Sequence, residues 1–217
     1  IEVKIGVLKD DAIKLIQGFF NKFLLKRPSV TCKSGISLDG KISLSNGSSK
    51  WITSEESRQD VQMERSIASL IFSSSKTVIL DDPSLNVRDP LLLKKILKQP
   101  DLAIVDTRLK IPLKSKIFNN SSRKIYLFTS IKNTTKKYKA DQDINNIFIE
   151  AGPTLIKSFL KKSLIDEMIL YISPKIIGST GKTFSGVTHI KNLSKKIKFR
   201  ISDMIPIGNN IKVRLEK

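Results

Sequence analysis

A short apolar run leads into a Gly-Pro step in the ten-residue stretch NIFIEAGPTL, residues 146–155. The run from Asn146 to Ile149 is typical of a buried strand, and a helical pattern follows it over residues 153–162. Proline is tolerated at the start of a helix because its missing N–H would have no helical partner there. A strand that feeds directly into a helix is the repeating unit of α/β folds, so this stretch predicts that fold class.

Similar apolar runs recur along the chain and alternate with helical patterns. We expect strands at residues 29–37, 70–72, 102–105, 125–129, 146–149 and 167–173. The C-terminal residues 197–215 predict a hairpin around Gly208-Asn209-Asn210. Together these patterns predict an α/β layered, mostly parallel sheet with an antiparallel C-terminal edge.

Two helices are expected in the first half of the chain. Residues 10–26 form an amphipathic pattern that Asp10 or Asp11 can cap and that ends at Arg27-Pro28. The pattern Thr53-Ser54-Glu55-Glu56 resembles a capping box and predicts a helix to about Ser69. Three segments between the regular elements are expected to be loops or turns: the Ser- and Gly-rich residues 41–50, residues 81–83 and the polar residues 131–145.

The composition is that of one large globular domain of 217 residues, with 40% hydrophobic and 27% charged residues. A single cysteine, Cys32, excludes an internal disulfide and a cysteine-rich zinc site, and a single histidine, His189, excludes a multi-histidine metal centre. No apolar run approaches the roughly 20 residues of a membrane span, and no signal peptide is visible. The sequence therefore predicts a cytoplasmic protein with no membrane partner and no metal.

The formal net charge of +19 raises the possibility of an RNA-binding domain. However, the 39 cationic residues are 31 lysines and only 8 arginines, and they are spread along the whole chain. Aromatic side chains are not interleaved with a basic stripe, as they would be in a stacking surface. These observations favour solvated surface lysines, which would attract small anions, over a nucleic-acid interface.

One glycine-rich segment is a poor match to a phosphate-binding loop. Residues Gly178-Ser179-Thr180-Gly181-Lys182-Thr183 have two residues between the glycines, whereas a P-loop needs four to wrap a phosphate. The sequence that follows does not begin like a helix, and no GxGxxG fingerprint occurs. We therefore expect an ordinary loop after the strand at residues 167–173.

The stretch 146–155 is a candidate ligand site as well as a fold signal. Ligands of α/β sheets bind beyond the carboxyl ends of strands, where Glu150 is expected to lie. Gly152 permits close approach of a ligand to the backbone, and free N–H groups at a helix start bind phosphate. The alternative is a plain strand-helix turn with a surface glutamate, and spacing alone does not separate the two.

Three other segments carry candidate binding residues, each with a structural alternative. Lys33 lies inside a predicted strand, either partly buried beside an anion or exposed at a sheet edge. Asp81-Asp82-Pro83, with Arg88 six residues after Asp82, would suit a polar ligand and its phosphate but is equally typical of a surface turn. Trp51, the only tryptophan, belongs either in the core or beside a planar ring at the mouth of a site.

Taken in order, these segments resemble the reductase domain of bacterial riboflavin biosynthesis, the C-terminal half of the bifunctional pyrimidine deaminase/reductase. The resemblance runs from about residue 27 to the end and rests on residues 27–28, 33–40, 47–60, 77–88, 106–107, 150–160 and 166–178. Residues 1–26 form a helical remnant whose sequence from Gly6 onward is similar to the tail of the deaminase module. The resemblance implies a dihydrofolate-reductase-like fold with helices on both faces of the sheet, a reductase domain over 27–217, and a homodimer.

The implied activity is the NADPH-dependent reduction of 5-amino-6-(5-phosphoribosylamino)uracil to its ribitylamino form. By resemblance the NADPH contacts are Gly35, Trp51, Thr77, Asp81, Thr107, Gly152, Pro153, Thr154, Leu155, Ile156, Lys157 and Ser158. By resemblance the substrate contacts are Ser49, Arg65, Leu85, Arg88 and Glu150, with Arg65 and Arg88 clamping the ribose phosphate. Thr107, with nearby Arg108 or Lys110, would favour NADPH over NADH through the 2′-phosphate.

The catalytic candidates are the three groups able to handle a proton at the reacting imine, namely Glu150, Lys33 and Asp81, and the sequence does not rank them. One residue departs from the family pattern. The family commonly has Glu-Gly-Gly where this chain has Glu150-Ala151-Gly152. The methyl group of Ala151 would crowd the turn if that position needed a positive φ.

Two further functions remain open besides RNA binding. A pterin reductase of the same fold would not need the Arg65/Arg88 pair. A non-catalytic protein would only dock to a separate deaminase chain through its N-terminal helix. The zinc site of a deaminase requires a His or Cys near a Glu and a later Cys-x-x-Cys pair. One cysteine and one histidine cannot supply it, so a deaminase would be a separate chain or a missing part of this one.

Overall fold

A computed structural model describes residues 2–9, 12–13, 16–119, 122–130, 144–188, 190, 192, 194 and 196–217. Eight strands of this described part form one sheet in the order β5-β4-β3-β6-β1-β7-β10-β9. They are β1 (Ser29–Ser37), β3 (Leu70–Ser74), β4 (Asp101–Val105), β5 (Ile125–Phe128), β6 (Asn146–Ile149), β7 (Glu167–Ser173), β9 (Arg200–Ile207) and β10 (Asn210–Glu216). Neighbours from β5 to β7 are parallel, and β10 pairs antiparallel with both β7 and β9.

The remaining elements are short. A two-stranded sheet joins β2 (Lys41–Ser43) to β8 (Lys182–Thr183). The described helices are α1 (Gln17–Leu25), α2 (Glu55–Ser66), α3 (Ser75–Asp81), α4 (Pro90–Leu93) and α5 (Pro153–Lys161), with a 3₁₀ turn at Lys116–Asn119. None of the described helices combines the length and the apolar character needed to cross a membrane.

Alternate residues of the central strands pack against helices on opposite faces of the sheet. Phe72 of β3 contacts Phe159 of α5, with ring centroids 5.5 Å apart. Its neighbour Ile71 belongs to a separate buried cluster with Val78 of α3. Because strand side chains alternate between faces, the near-continuous apolar runs of the central strands are buried on both sides. The predicted α/β layered fold is confirmed, including the antiparallel C-terminal edge.

Strand positions agree closely with the sequence patterns. The strands predicted at residues 29–37, 146–149 and 167–173 have those bounds, and the predicted hairpin turns at Gly208, where φ is +53°. Several short elements were not predicted: helices α3 and α4, the 3₁₀ turn, strand β2 inside the expected loop 41–50, and strand β8 inside the expected loop at residues 178–183. Strand β2 depends on β8, about 140 residues away, so no local signal marks it.

The N-cap of helix α2 lies one residue later than the capping-box pattern predicts. Ser54, and not Thr53, is the N-cap, and its side chain accepts a hydrogen bond from the Ser57 N–H. The first predicted helix is seen as α1, which ends at Leu25 with Lys26 in a left-handed conformation. The proposed caps Asp10 and Asp11, and residues 131–143 of the expected loop, lie outside the described residues.

Candidate active site

Glu150 follows β6 directly, at the carboxyl edge of the parallel strands. Its backbone N–H donates to the Phe72 carbonyl at 3.0 Å, and its own carbonyl accepts a 2.5 Å hydrogen bond from the Ser73 hydroxyl. Both partners belong to the neighbouring strand β3. The backbone of Glu150 is therefore fixed on the sheet, and its side chain is held in a defined place.

Two cations bind the Glu150 carboxylate. Arg65 of α2 donates from Nε to Oε1 at 2.6 Å and from Nη2 to Oε2 at 3.1 Å, while Lys33 Nζ of β1 lies 3.4 Å from Oε2. Burial acts to raise the pKa of Glu150, but the charges of Arg65 and Lys33 outweigh it and lower that pKa to about 2. We call Glu150, Arg65 and Lys33 the site cluster; it carries a formal charge of +1 at neutral pH.

Lys33 is the partly buried strand lysine that the sequence allowed as one of two alternatives. Its ammonium lies 6.0 Å from the centroid of the Tyr171 ring, on the neighbouring strand β7. The Tyr171 hydroxyl donates to Asp60 of α2 at 2.5 Å. A cation near an aromatic face is attracted by the ring quadrupole, so Tyr171 is a second attractive partner of Lys33 besides Glu150.

The segment of residues 84–88 reaches the site cluster through its backbone. Arg65 Nη1 donates to the Asn86 carbonyl at 3.1 Å, and the Arg88 N–H donates to Gln62 Oε1 at 2.9 Å. Leu85 is buried and has a φ of +46°. Arg88 is exposed; partial burial and the nearby charge of Arg65 lower the pKa of its guanidinium, and Glu150 opposes this. The structure thus brings Arg65, Arg88 and Glu150 into one electrostatic neighbourhood.

Asp81 and Ser49 form a pair of their own. The Ser49 hydroxyl donates to Asp81 Oδ1 at 3.3 Å. Within the described residues Asp81 has no hydrogen bond or ion pair with Glu150 or Lys33. Of the three proton-handling candidates, the structure joins Glu150 and Lys33 and pairs Asp81 with Ser49 instead.

Trp51 lies at the surface and is not a core residue, since 62% of it is exposed. The Arg58 guanidinium lies 4.2 Å from the centroid of its ring, and Lys175 Nζ donates to its backbone carbonyl at 2.8 Å. Just beyond it, Thr53 packs on Gly35 of β1: a Cβ added at Gly35 would lie 3.0 Å from the Thr53 methyl group. The Trp51 ring is therefore exposed apart from its contact with Arg58, and Thr53, two residues further on, covers Gly35.

At the start of α5 the backbone is open to a ligand, but only some of the side chains are accessible. Gly152 is the N-cap with a φ of −74°, and a Cβ added there would meet no atom within 4 Å. Leu155 and Ile156 are buried in the core, so their side chains are committed to packing. Ala151 does not have a positive φ, and its methyl group therefore does not strain the turn.

A groove of about 200 Å³ lies between the start of α3 and the loop after β4. It includes Thr107, and its lining is Ser75, Lys76, Ile79, Leu80, Asp106, Thr107, Arg108 and Lys110. Thr77 is on the same helix, and its hydroxyl lies 3.2 Å from the Ser74 hydroxyl that caps α3. With three cations against one buried carboxylate, the groove is suited to an anionic group.

Several residues around the site carried no sequence signal. Gln62, Gln99 and Arg123 bond to the backbone of residues 84–88, and Asp60 holds Tyr171. Their partners lie 12 to 111 positions away in the chain. Only the tertiary fold creates these pairs, and no spacing pattern could have identified them.

Comparison with known proteins finds similarity over most of the chain. A family model described as the RibD C-terminal domain matches residues 28–213. The riboflavin biosynthesis protein RibD of Buchnera aphidicola from Baizongia pistaciae is 36% identical and matches all of this chain over 67% of its own length. A 5-amino-6-(5-phosphoribosylamino)uracil reductase of Buchnera aphidicola from Acyrthosiphon pisum is also 36% identical, and the match covers 78% of this chain and 97% of that protein.

Solved structures give the same result for the fold. Acinetobacter baumannii RibD superposes with a TM-score of 0.89 at 32% identity, covering all of this chain and 65% of the other. A deaminase/5-amino-6-(5-phosphoribosylamino)uracil reductase of Thermotoga maritima has a TM-score of 0.84 at 26% identity. The chain therefore spans about two thirds of the length of these longer relatives.

Proposed function

Because the chain belongs to the RibD C-terminal domain family, we propose that it is a reductase of riboflavin biosynthesis. It reduces the ribosyl group of 5-amino-6-(5-phosphoribosylamino)uracil and yields 5-amino-6-(5-phosphoribitylamino)uracil. The observation that carries the proposal is the site cluster: a buried carboxylate held by two cations at the carboxyl edge of the sheet, with Arg88 close by. Substrates of α/β folds bind at this edge.

The charge balance favours a phosphorylated substrate. The site cluster has one cation in excess, and the Arg88 guanidinium has no ion pair within the described residues. Three of the five N–H groups of Arg65 are already bonded to Glu150 and Asn86. Arg88 is therefore the main ligand of the ribose phosphate, and the nearby Arg65 contributes positive charge to the site. A pterin has no phosphate to occupy this place.

We propose NADPH as the cofactor. Its phosphates would bind the backbone N–H groups at the start of α5, where Gly152 leaves open space. Its 2′-phosphate would bind in the groove beside Thr107, Arg108 and Lys110. NADPH, when bound, supplies the hydride that reduces the ribose C1. The other cofactor contacts inferred from the family resemblance remain part of this proposal.

Glu150 and Lys33 have different roles in handling the proton. With its pKa near 2, Glu150 is ionised at neutral pH and cannot serve as a general acid there. It holds the Lys33 ammonium in place and keeps Arg65 oriented. Lys33 has three N–H donors and gives one to Glu150, so it is the group able to protonate the ring-opened imine. Asp81 acts with Ser49 in binding and not in proton transfer.

The N-terminal residues 1–26 form a docking element for a deaminase, and residues 27–217 form the reductase domain. Gly18 of α1 packs closely on the start of β6, because a Cβ added there would overlap the Asn146 side chain at 1.9 Å. The other side of α1 exposes Phe19, Phe23 and Leu24. We propose that a deaminase module covers these side chains, and that the reductase acts as a homodimer.

The test is a loss of 340 nm absorbance when the chain is mixed with NADPH and the phosphoribosylaminouracil. We expect turnover with this substrate and none with dihydropterin. A folded chain that binds neither NADPH nor the substrate would contradict the proposal. Turnover of dihydropterin but not of the phosphoribosylaminouracil would show that the proposed substrate class is wrong.

A further inference from the structure

The segment of residues 84–88 lies in neither a helix nor a strand, although Leu85 and Val87 are buried. It joins helices α3 and α4 and contains two of the proposed substrate contacts, Leu85 and Arg88. Buried backbone groups must be hydrogen-bonded, and here no regular element supplies the partners. Its shape therefore depends on whichever side chains bond to its backbone.

Gln99 bonds to both backbone groups of Val87. The Val87 N–H donates to Gln99 Oε1 at 2.9 Å, and Gln99 Nε2 donates to the Val87 carbonyl at 2.8 Å. The primary amide acts here as the edge of a β-strand would, with one donor and one acceptor. Both bonds are buried, so the loss of Gln99 would leave two unsatisfied backbone groups.

Arg123 bonds to three backbone carbonyls. Its guanidinium donates to Leu85, to Ser84 at 2.8 Å and to Ile117 at 3.3 Å. It is only 8% exposed and forms no ion pair within the described residues. Burial lowers the pKa of Arg123 to about 10, and the side chain is still a cation at neutral pH. It therefore ties the segment to the 3₁₀ turn at Lys116–Asn119.

The same segment is bonded to helix α2 on its other side. Gln62 accepts from the Arg88 N–H, and Arg65 donates to the Asn86 carbonyl. Residues 84–88 are thus held between α2, which carries the site cluster, and two side chains outside the site. Any change in Gln99 or Arg123 would be transmitted to Leu85 and Arg88.

We propose that Gln99 and Arg123 are positioning residues that set the placement of Leu85 and Arg88 for the phosphorylated substrate. Neither residue touches the substrate; each acts through the backbone of residues 84–88. The inference rests on the proposed function, since it assumes that Leu85 and Arg88 are substrate contacts. It predicts that the KM for the phosphorylated substrate is sensitive to residues that the substrate does not reach.

The kinetic test compares Gln99→Leu, Arg123→Lys and Arg123→Met with an arginine control, Arg27→Met. Arg27 also makes three hydrogen bonds, to Asp166 and Pro28, but at the amino ends of β1 and β7. We expect Gln99→Leu and Arg123→Met to raise the KM for the substrate about tenfold, with the Kd for NADPH within about twofold of wild type. Arg123→Lys should fall between Arg123→Met and wild type, and Arg27→Met should leave the KM unchanged.

Hydrogen exchange supplies a readout that needs no turnover. In Gln99→Leu the amides of Val87 and Arg88 should exchange about tenfold faster or more, while those of β4 keep their wild-type rates. Slow exchange at Val87 and Arg88 in the variant would overturn the inference, and so would an unchanged KM in active enzyme. If the wild type shows no turnover, the proposed function fails, and exchange alone decides whether Gln99 holds the segment.

Discussion

Helix α2 contributes residues to two partly buried ionic clusters of opposite charge balance. Arg65 belongs to the site cluster, while the adjacent Glu64 belongs to what we call the edge cluster: Asp60, Glu64, Glu167, Lys212 and Arg214. In the edge cluster Lys212 Nζ lies 2.5 Å from Asp60 and 2.7 Å from Glu64, and Arg214 binds Glu64 and lies 2.5 Å from Glu167. Three carboxylates there face two cations, whereas in the site cluster two cations face one carboxylate.

The sign of the excess charge distinguishes the two clusters as possible anion sites. In the edge cluster each cation contacts two carboxylates, and the Tyr171 hydroxyl also bonds to Asp60. The edge cluster retains one negative charge and would therefore repel an anion. The site cluster instead retains one positive charge on the half-buried side of the cluster, at Lys33, and this charge attracts an anion.

Removing the central cation of the site cluster should have the largest effect. Arg65→Met deletes the bidentate partner of Glu150 and the bond to the Asn86 carbonyl. We expect kcat/KM to fall by about 10³, because charge stabilisation and substrate placement are lost together. The measurement is NADPH oxidation at 340 nm, normalised to folded protein by circular dichroism. A kcat/KM within tenfold of wild type would show that Arg65 is not part of the active site.

The matched change in the edge cluster is Lys212→Met. It leaves Asp60 unpaired and Glu64 with one cation, so we expect the free energy of unfolding to fall by about 3 kcal/mol. Turnover per folded molecule should stay within about threefold of wild type, since no edge-cluster residue is proposed to touch the substrate. Urea denaturation measures the first effect and NADPH oxidation the second. A thousandfold loss of activity in a folded Lys212→Met variant would show that the edge cluster also takes part in the reaction, contrary to this prediction.

Glu150 should contribute stability that depends on pH. Its folded pKa of about 2 lies below the ordinary value of 4.5. The contribution is therefore complete above pH 4.5 and is lost as the pH falls through about 2. We expect a loss on the order of 2–3 kcal/mol over this range in the wild type. Urea unfolding at several pH values should show that Glu150→Gln lacks this part of the pH dependence; an identical acid slope would contradict the ion pair.

Arg88→Ala should weaken binding more than it slows the reaction. Because Arg88 is exposed and bonded to the fold through its backbone, the variant should fold normally. We expect the KM for the phosphorylated substrate to rise by about 10–100-fold, with kcat within about threefold. Arg88→Lys keeps the charge but not the planar fork and should be intermediate. An unchanged KM in Arg88→Ala would rule out the phosphate clamp.

The sequence predicts the fold well where structure is local. The strand at residues 146–149 and the helix start at Pro153 follow from one apolar run and one Gly-Pro step. Helix α3 was not predicted because its seven residues, SKTVILD, are too few for a helical period to be recognised. Strand β2 needs a distant partner and was missed for that reason.

The residues of the candidate site also differ in how far the sequence could predict them. Glu150 and Lys33 could be selected from local patterns, because each lies in or directly after a recognisable strand. Arg65 came only from resemblance to a family, whereas Arg88 was also suggested by the Asp81-Asp82-Pro83 turn that precedes it. Gln99, Arg123 and the edge cluster could not be predicted at all, since their contacts join residues that only the fold brings together.

We propose that the positive excess around the site cluster, together with Arg88, binds the phosphate of the substrate. The most direct test measures kcat/KM for the substrate with and without its 5′-phosphate, in wild type and in Arg88→Ala. We predict that removing the phosphate costs the wild type about 100-fold and the variant only a few-fold, since the two changes delete one interaction. An equal cost in both proteins would show that Arg88 and the phosphate do not meet, and would contradict the account.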